Sequence, residues 1–132
     1  MAIIAIIDDN PDDLALLSRV LSEEGYPVVT HPAGSGLERP SYVLDFIEEQ
    51  RPDLIIVDPF GGGWDFDLRI LWRIRHSVDT RYVPLIVCTA HSAELFYREY
   101  TLGAINARIL PKPFTAQELL EMVRASLTEP KP

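Results

Sequence analysis

Residues 2–13 read Ala2-Ile3-Ile4-Ala5-Ile6-Ile7-Asp8-Asp9-Asn10-Pro11-Asp12-Asp13. An apolar run without polar alternation predicts a strand buried on both faces, as in a parallel sheet covered by helices. The acids that follow stand where such a strand ends. Asn10 then supplies an N-cap, Pro11 fits the first helical position, and Asp12 and Asp13 suit the positive end of a helix. Leu14, Leu17 and Leu21 form the inward stripe of that helix, and Gly25 reads as its terminator.

The same alternation continues along the chain. Apolar runs recur at Val28–Thr30, Leu54–Val57, Val83–Cys88 and Ile105–Leu110. Pro27 cannot donate to a ladder, so the second strand belongs at a sheet edge. Helix-period segments fall at about Ser41–Gln50 and Asp65–Ser77, and around Leu95, Phe96 and Leu102, where Gly103 ends the helix. The last helix opens on a capping box, Thr115 to Glu118, with Phe114 placed to staple onto Leu119. Five strands alternating with five helices predict an α/β, doubly wound parallel sheet with right-handed crossovers. Two loops are long for the pattern, His31–Pro40 and the glycine-rich Pro59–Trp64. One domain over residues 1–127 is expected, with 128–132 a flexible tail or linker stub.

Composition narrows the function classes. A chain of 132 residues can bury a core without disulfides or structural metal. A net charge of −8 argues against nucleic acid and anionic membrane as partners. The lone cysteine, Cys88, excludes an internal disulfide and is expected to pack as a small apolar side chain. Ala2–Ile7 has no basic residue before it and runs into Asp8 and Asp9, unlike a secretory signal. No stretch approaches the roughly 20 apolar residues of a membrane span. A cytoplasmic location is expected.

In an open parallel sheet, ligands bind beyond the carboxyl ends of the strands. The residues placed there are Asp8 and Asp9 after the first strand, Asp58 after the third, Thr89 and Ala90 after the fourth, and Lys112, Pro113 and Phe114 after the fifth. Three carboxylates brought together repel one another, so either a pKa rises or a cation binds. Magnesium suits such a site, because it takes one or two carboxylates and leaves room for a phosphoryl group. One carboxylate can then act as nucleophile while the cation and lysine neutralise the transferring group.

Asp8-Asp9, Asp58, Thr89-Ala90 and Lys112-Pro113-Phe114, in this order and spacing, resemble the receiver domain of two-component response regulators across essentially the whole chain. The resemblance implies a flavodoxin-like sheet of order 2-1-3-4-5. It implies Asp58 as phosphoacceptor, Asp9 as a direct Mg²⁺ ligand, Asp8 acting through a bound water, and the Phe60 backbone carbonyl as a further ligand. Lys112 would pair with the acceptor and then with the phosphoryl oxygens, and Thr89 would turn its hydroxyl toward them. A cis bond between Lys112 and Pro113 is implied as well. The implied donor is a histidine kinase or histidine phosphotransfer protein. The implied output is a downstream protein bound at the face of the fourth helix, fifth strand and fifth helix, with homodimer formation left open.

The chain departs from the family in two places. The family usually carries an aromatic switch residue three positions before the lysine, where this chain has Ile109. After the acceptor it has Pro59-Phe60-Gly61-Gly62-Gly63-Trp64. Triple glycine is entropically costly to order. This loop, with His91 facing the same region by analogy, is a candidate gate in which Phe60 shields the phosphoryl group; an elongated loop without kinetic role is the plainer alternative.

Other features have plain structural readings. Asp65-Phe66-Asp67 is similar to the Asp-x-Asp of haloacid-type phosphatases but does not follow the first strand, so Asp65 reads as an N-cap. Arg69, Arg73 and Arg75 near Trp72 read as a solvated helix face. His31, His76 and His91 lack metal-ligand spacing. Tyr97 and Tyr100 fit either a partner surface or partly buried packing. Two competing functions follow. The missing switch aromatic and altered loop fit a degenerate receiver serving as a constitutive interaction module. A small phosphatase would need a second acid/base carboxylate after the nucleophile, and none is found.

Overall fold

The computed structural model describes residues 1–32, 40–58, 71–90 and 106–129. Five strands, β1 (Ile4–Ile7), β2 (Val28–His31), β3 (Leu54–Val57), β4 (Leu85–Thr89) and β5 (Arg108–Pro111), form one parallel sheet of order β2-β1-β3-β4-β5. This is the doubly wound order expected, and β2 lies at the edge where Pro27 placed it. Pro27 contributes only its carbonyl, accepting from the Ile4 N–H at 2.9 Å.

Around the sheet lie α1 (Pro11–Glu23), α2 (Pro40–Gln50), a helical segment α3 described over 71–76, and α4 (Ala116–Thr128). Four helical segments are thus described where five were expected. The remaining one, around Leu95, Phe96, Leu102 and Gly103, falls outside the described residues.

Local chemistry explains the helix ends. The Asn10 side chain accepts from the backbone N–H groups of Asp12 and Asp13 at 2.9 and 3.3 Å. At the other end of α1, Gly25 adopts φ +93°, where a side chain would be strained. Its N–H bonds the Ser22 carbonyl at 3.0 Å and the Tyr26 N–H bonds Leu21 at 3.1 Å, closing a Schellman turn. The capping box of α4 forms as read, with Thr115 and Glu118 exchanging bonds at 3.0 and 3.1 Å.

Strand boundaries shift slightly from the apolar runs. Ile3 leaves the first run to pair with Asp53, donating to its carboxylate at 2.8 Å and accepting from its N–H at 2.7 Å. Asn106 at φ 47° turns the chain before β5, so that strand starts later than its apolar run.

The strands' two faces build two cores, as the period-2 geometry of a pleat requires. Ala5, Ile7, Ile55, Val57, Leu85 and Val87 pack with α2 and α3. Ile4, Ile6, Leu54, Ile56, Ile86, Cys88 and Leu110 pack with Leu17 and Leu21 of α1 and Leu119 and Val123 of α4. Cys88 is buried there as expected, and burial pushes its thiol up to about 12. Ile109, at the position of the usual switch aromatic, is half-buried against the first core.

The arginine strip is not a uniformly solvated face. Arg73 is exposed, but Arg75 turns inward and its Nη1 donates to the carbonyls of Arg81 and Val83 at 2.5 and 3.1 Å. Thr80 Oγ1 donates to the Ile74 carbonyl at 2.6 Å, so the turn after α3 is tied back onto that helix. Arg69 lies outside the described residues.

Candidate functional site

The residue following each strand inherits its direction from the pleat. Ile4 and Ile6 face α1, so Asp8 does too; Leu54 and Ile56 carry Asp58 to that side, and Leu110 carries Lys112. Ladder bonds extend past the strand ends and fix these positions. The Asp8 N–H donates to the His31 carbonyl at 3.3 Å, the Asp58 N–H to Ile7 at 3.1 Å, and the Lys112 N–H to Thr89 at 2.7 Å.

The side chains converge at the carboxyl end of the sheet. Lys112 Nζ donates to Asp58 Oδ2 at 2.8 Å and to Asp13 Oδ2 at 2.8 Å, with Asp8 Oδ2 at 3.4 Å. Asp8 is 2% exposed, Asp58 14%, Lys112 16% and Asp13 35% by side chain. Asp8 Oδ1 also accepts the Asn10 N–H at 2.9 Å.

Burial pushes the Asp8 carboxyl up to about 6; the Asn10 N–H and Lys112 oppose the rise, while Asp58 and Asp13 add to it. Burial alone would lower the Lys112 ammonium, but the hydrogen bonds to Asp13 and Asp58 outweigh it and its pKa ends raised. Lys112 therefore stays charged throughout the neutral range.

Asp8, Asp13 and Asp58 each bring a carboxylate oxygen within 4.8 Å of the others. Three hard anionic donors facing one ammonium fit a divalent oxygen-seeking cation, whose charge would relieve their repulsion. Asp9, expected as a direct ligand, is half-buried and stands outside that trio. Thr89 is wholly buried at the end of β4, paired in register with Pro111. Phe60, Gly61–Gly63, Trp64, Asp65, Asp67, His91, Tyr97 and Tyr100 lie outside the described residues. The Lys112–Pro113 bond is cis, as the resemblance implied.

From the sequence alone, Asp13 reads only as an acid beside a helix N-terminus. The signal that locates it is the spacing Asp13, Leu17, Leu21, which continues the buried stripe of α1 by one turn toward the site.

Comparison with known proteins gives the family. The family model of the response regulator receiver domain matches residues 4–124. The chain belongs to the response regulator receiver domain family. Response regulator MprA of Mycobacterium avium is 34% identical over 129 residues, which cover 98% of this chain and 52% of that protein. The chain thus spans about half the length of MprA. Sporulation initiation phosphotransferase F of Bacillus subtilis is 31% identical over 94% of this chain and 92% of its own length. The crystal structure of response regulator TrrA from Thermotoga maritima, in complex with Mg²⁺-BeF, aligns with TM-score 0.76 at 28% identity, covering 96% of this chain and all of that one.

Proposed function

We propose that this chain is a phospho-receiver of a two-component or phosphorelay system, accepting a phosphoryl group on Asp58 in the presence of Mg²⁺. The observation that carries the reading is the Lys112 ammonium 2.8 Å from the Asp58 carboxylate, inside a carboxylate cluster suited to a divalent cation. An Asp58 oxygen attacks phosphorus, and the bond to the donor's imidazole nitrogen breaks with its electron pair left on that nitrogen. Lys112 neutralises the phosphoryl oxygens as they arrive, and the Thr89 hydroxyl turns toward them. Asp9, Asp58 and the Phe60 carbonyl, with Asp8 through a water, would hold Mg²⁺, which would supply charge neutralisation and orientation. The protein catalyses only its own phosphorylation and dephosphorylation.

The likeness to phosphotransferase F over most of that protein's length supports a histidine kinase or phosphotransfer protein as donor. The added charge would shift an existing equilibrium at a protein-binding face that includes β5 and α4. Among the described residues no helix is long and apolar enough to cross a membrane; a cytoplasmic setting is part of the proposal. The degenerate-module reading has no support in the site, since the acids and the lysine are present and joined.

Intact mass after incubation with acetyl phosphate tests the reading. One phosphoryl group is expected with Mg²⁺, and none in EDTA or in Asp58→Asn. An unmodified wild-type chain in Mg²⁺ would overturn it.

A further inference from the structure

We propose that Asp13 is the resting counterion of Lys112, and that its charge sets the balance of this site in favour of the metal cation and against the phosphoryl group. The inference rests on the receiver reading and deepens it.

Asp13 is not an incidental neighbour of the site. Its carboxylate shares the Lys112 ammonium equally with Asp58, at 2.8 Å each, and closer than Asp8 at 3.4 Å. Its position is built in two ways. It stands one turn before the buried Leu17 and two before the buried Leu21, so packing of α1 aims it at the sheet. Its backbone N–H bonds the Asn10 side chain at 3.3 Å, while the Asn10 N–H bonds Asp8 at 2.9 Å. One asparagine therefore holds the Asp8 carboxylate and the backbone that carries Asp13.

Two consequences follow from charge. Before transfer, Lys112 is held between two carboxylates, so it must give up or share the Asp13 bond when phosphoryl oxygens arrive. Asp13 also adds a negative charge beside Asp58 and Asp8, with oxygens within 4.8 Å of theirs. That charge attracts a divalent cation and repels a phosphoryl group. At such separations one unit charge in a partly solvated site is worth about fivefold or more in affinity. Asp13 acts through Lys112 and through its field, as a positioning residue.

Opposite shifts in two affinities distinguish this role from a structural one. Mg²⁺ affinity of the metal-free protein and beryllofluoride affinity at saturating Mg²⁺ are measured by titration for wild type, Asp13→Asn and Asp13→Glu. Asp13→Asn is expected to weaken Mg²⁺ about fivefold and to tighten beryllofluoride by a similar factor, with Asp13→Glu close to wild type in both. Affinities of Asp13→Asn that move together, or do not move, overturn the proposal while leaving the receiver reading intact. Asp13→Glu behaving like Asp13→Asn overturns it as well, because charge would not be the agent. A wild-type protein that binds neither ion overturns the receiver reading and this proposal with it. Circular dichroism confirms that each variant is folded; should Asp13→Asn fail to fold, Asp13→Ser takes its place.

Discussion

Asp8 is nearly buried, and that burial is the main reason its carboxyl rises from 3.8 to about 6. Because the folded value lies above the unfolded one, the folded chain binds more protons between those two pH values. Metal-free stability therefore falls as pH rises through that window. Denaturant midpoints at pH 5 and pH 7 should show the wild type losing stability at the higher pH, with Asp8→Asn more stable than wild type at pH 7 by about 1–2 kcal/mol. A variant less stable than wild type at pH 7 would contradict the charge account. Lys112 has the reverse role, since it is the cation that the carboxylates share. Lys112→Ala should cost the metal-free protein about 1–3 kcal/mol, and added Mg²⁺ should recover part of that loss. Equal stability of variant and wild type without metal would show that the ammonium does not relieve the cluster.

At the scale of the element, α1 joins packing to the site. Asn10 caps the helix, and its N–H also holds Asp8. Asn10→Ala should lower unfolding free energy by about 1 kcal/mol, read from urea denaturation; an unchanged midpoint would mean that the cap contributes nothing.

Most of this element-level structure was legible in the sequence, because caps, Gly25 and the capping box depend on residues a few positions apart. Unbroken apolar runs disclosed the buried strands, and Pro27 disclosed the edge. Three features depended on how the chain folds back on itself and were not legible. Ile3 pairs with Asp53, across the sheet. Arg75 turns inward toward carbonyls offered by the turn that follows α3. Asp13 meets Lys112 only once β5 lies beside β4 and α1 packs on that face. Its spacing from Leu17 and Leu21 was visible, but an acid at a helix start has an adequate local explanation and so concealed the longer-range one.

Across the whole molecule, the parallel sheet turns one pleat direction into one site. Because β1, β3 and β5 present Ile6, Ile56 and Leu110 to the α1–α4 core, the next polar residues on that face, Asp8, Asp58 and Lys112, meet at one end of the sheet. The site is thus tied to global folding. A ligand bound there stabilises the entire domain by mass action. The thermal midpoint should rise with Mg²⁺ concentration in wild type, and by much less in a double variant Asp8→Asn, Asp58→Asn. An equal rise in both would place the cation elsewhere.

On the proposed function, Asp58 itself takes the phosphoryl group. Acetyl phosphate and Mg²⁺ followed by borohydride reduction convert an aspartyl phosphate into homoserine, which peptide mapping locates by mass. Conversion at position 58 alone is the expected result. Conversion at another carboxylate, with residue 58 unchanged, would contradict the account.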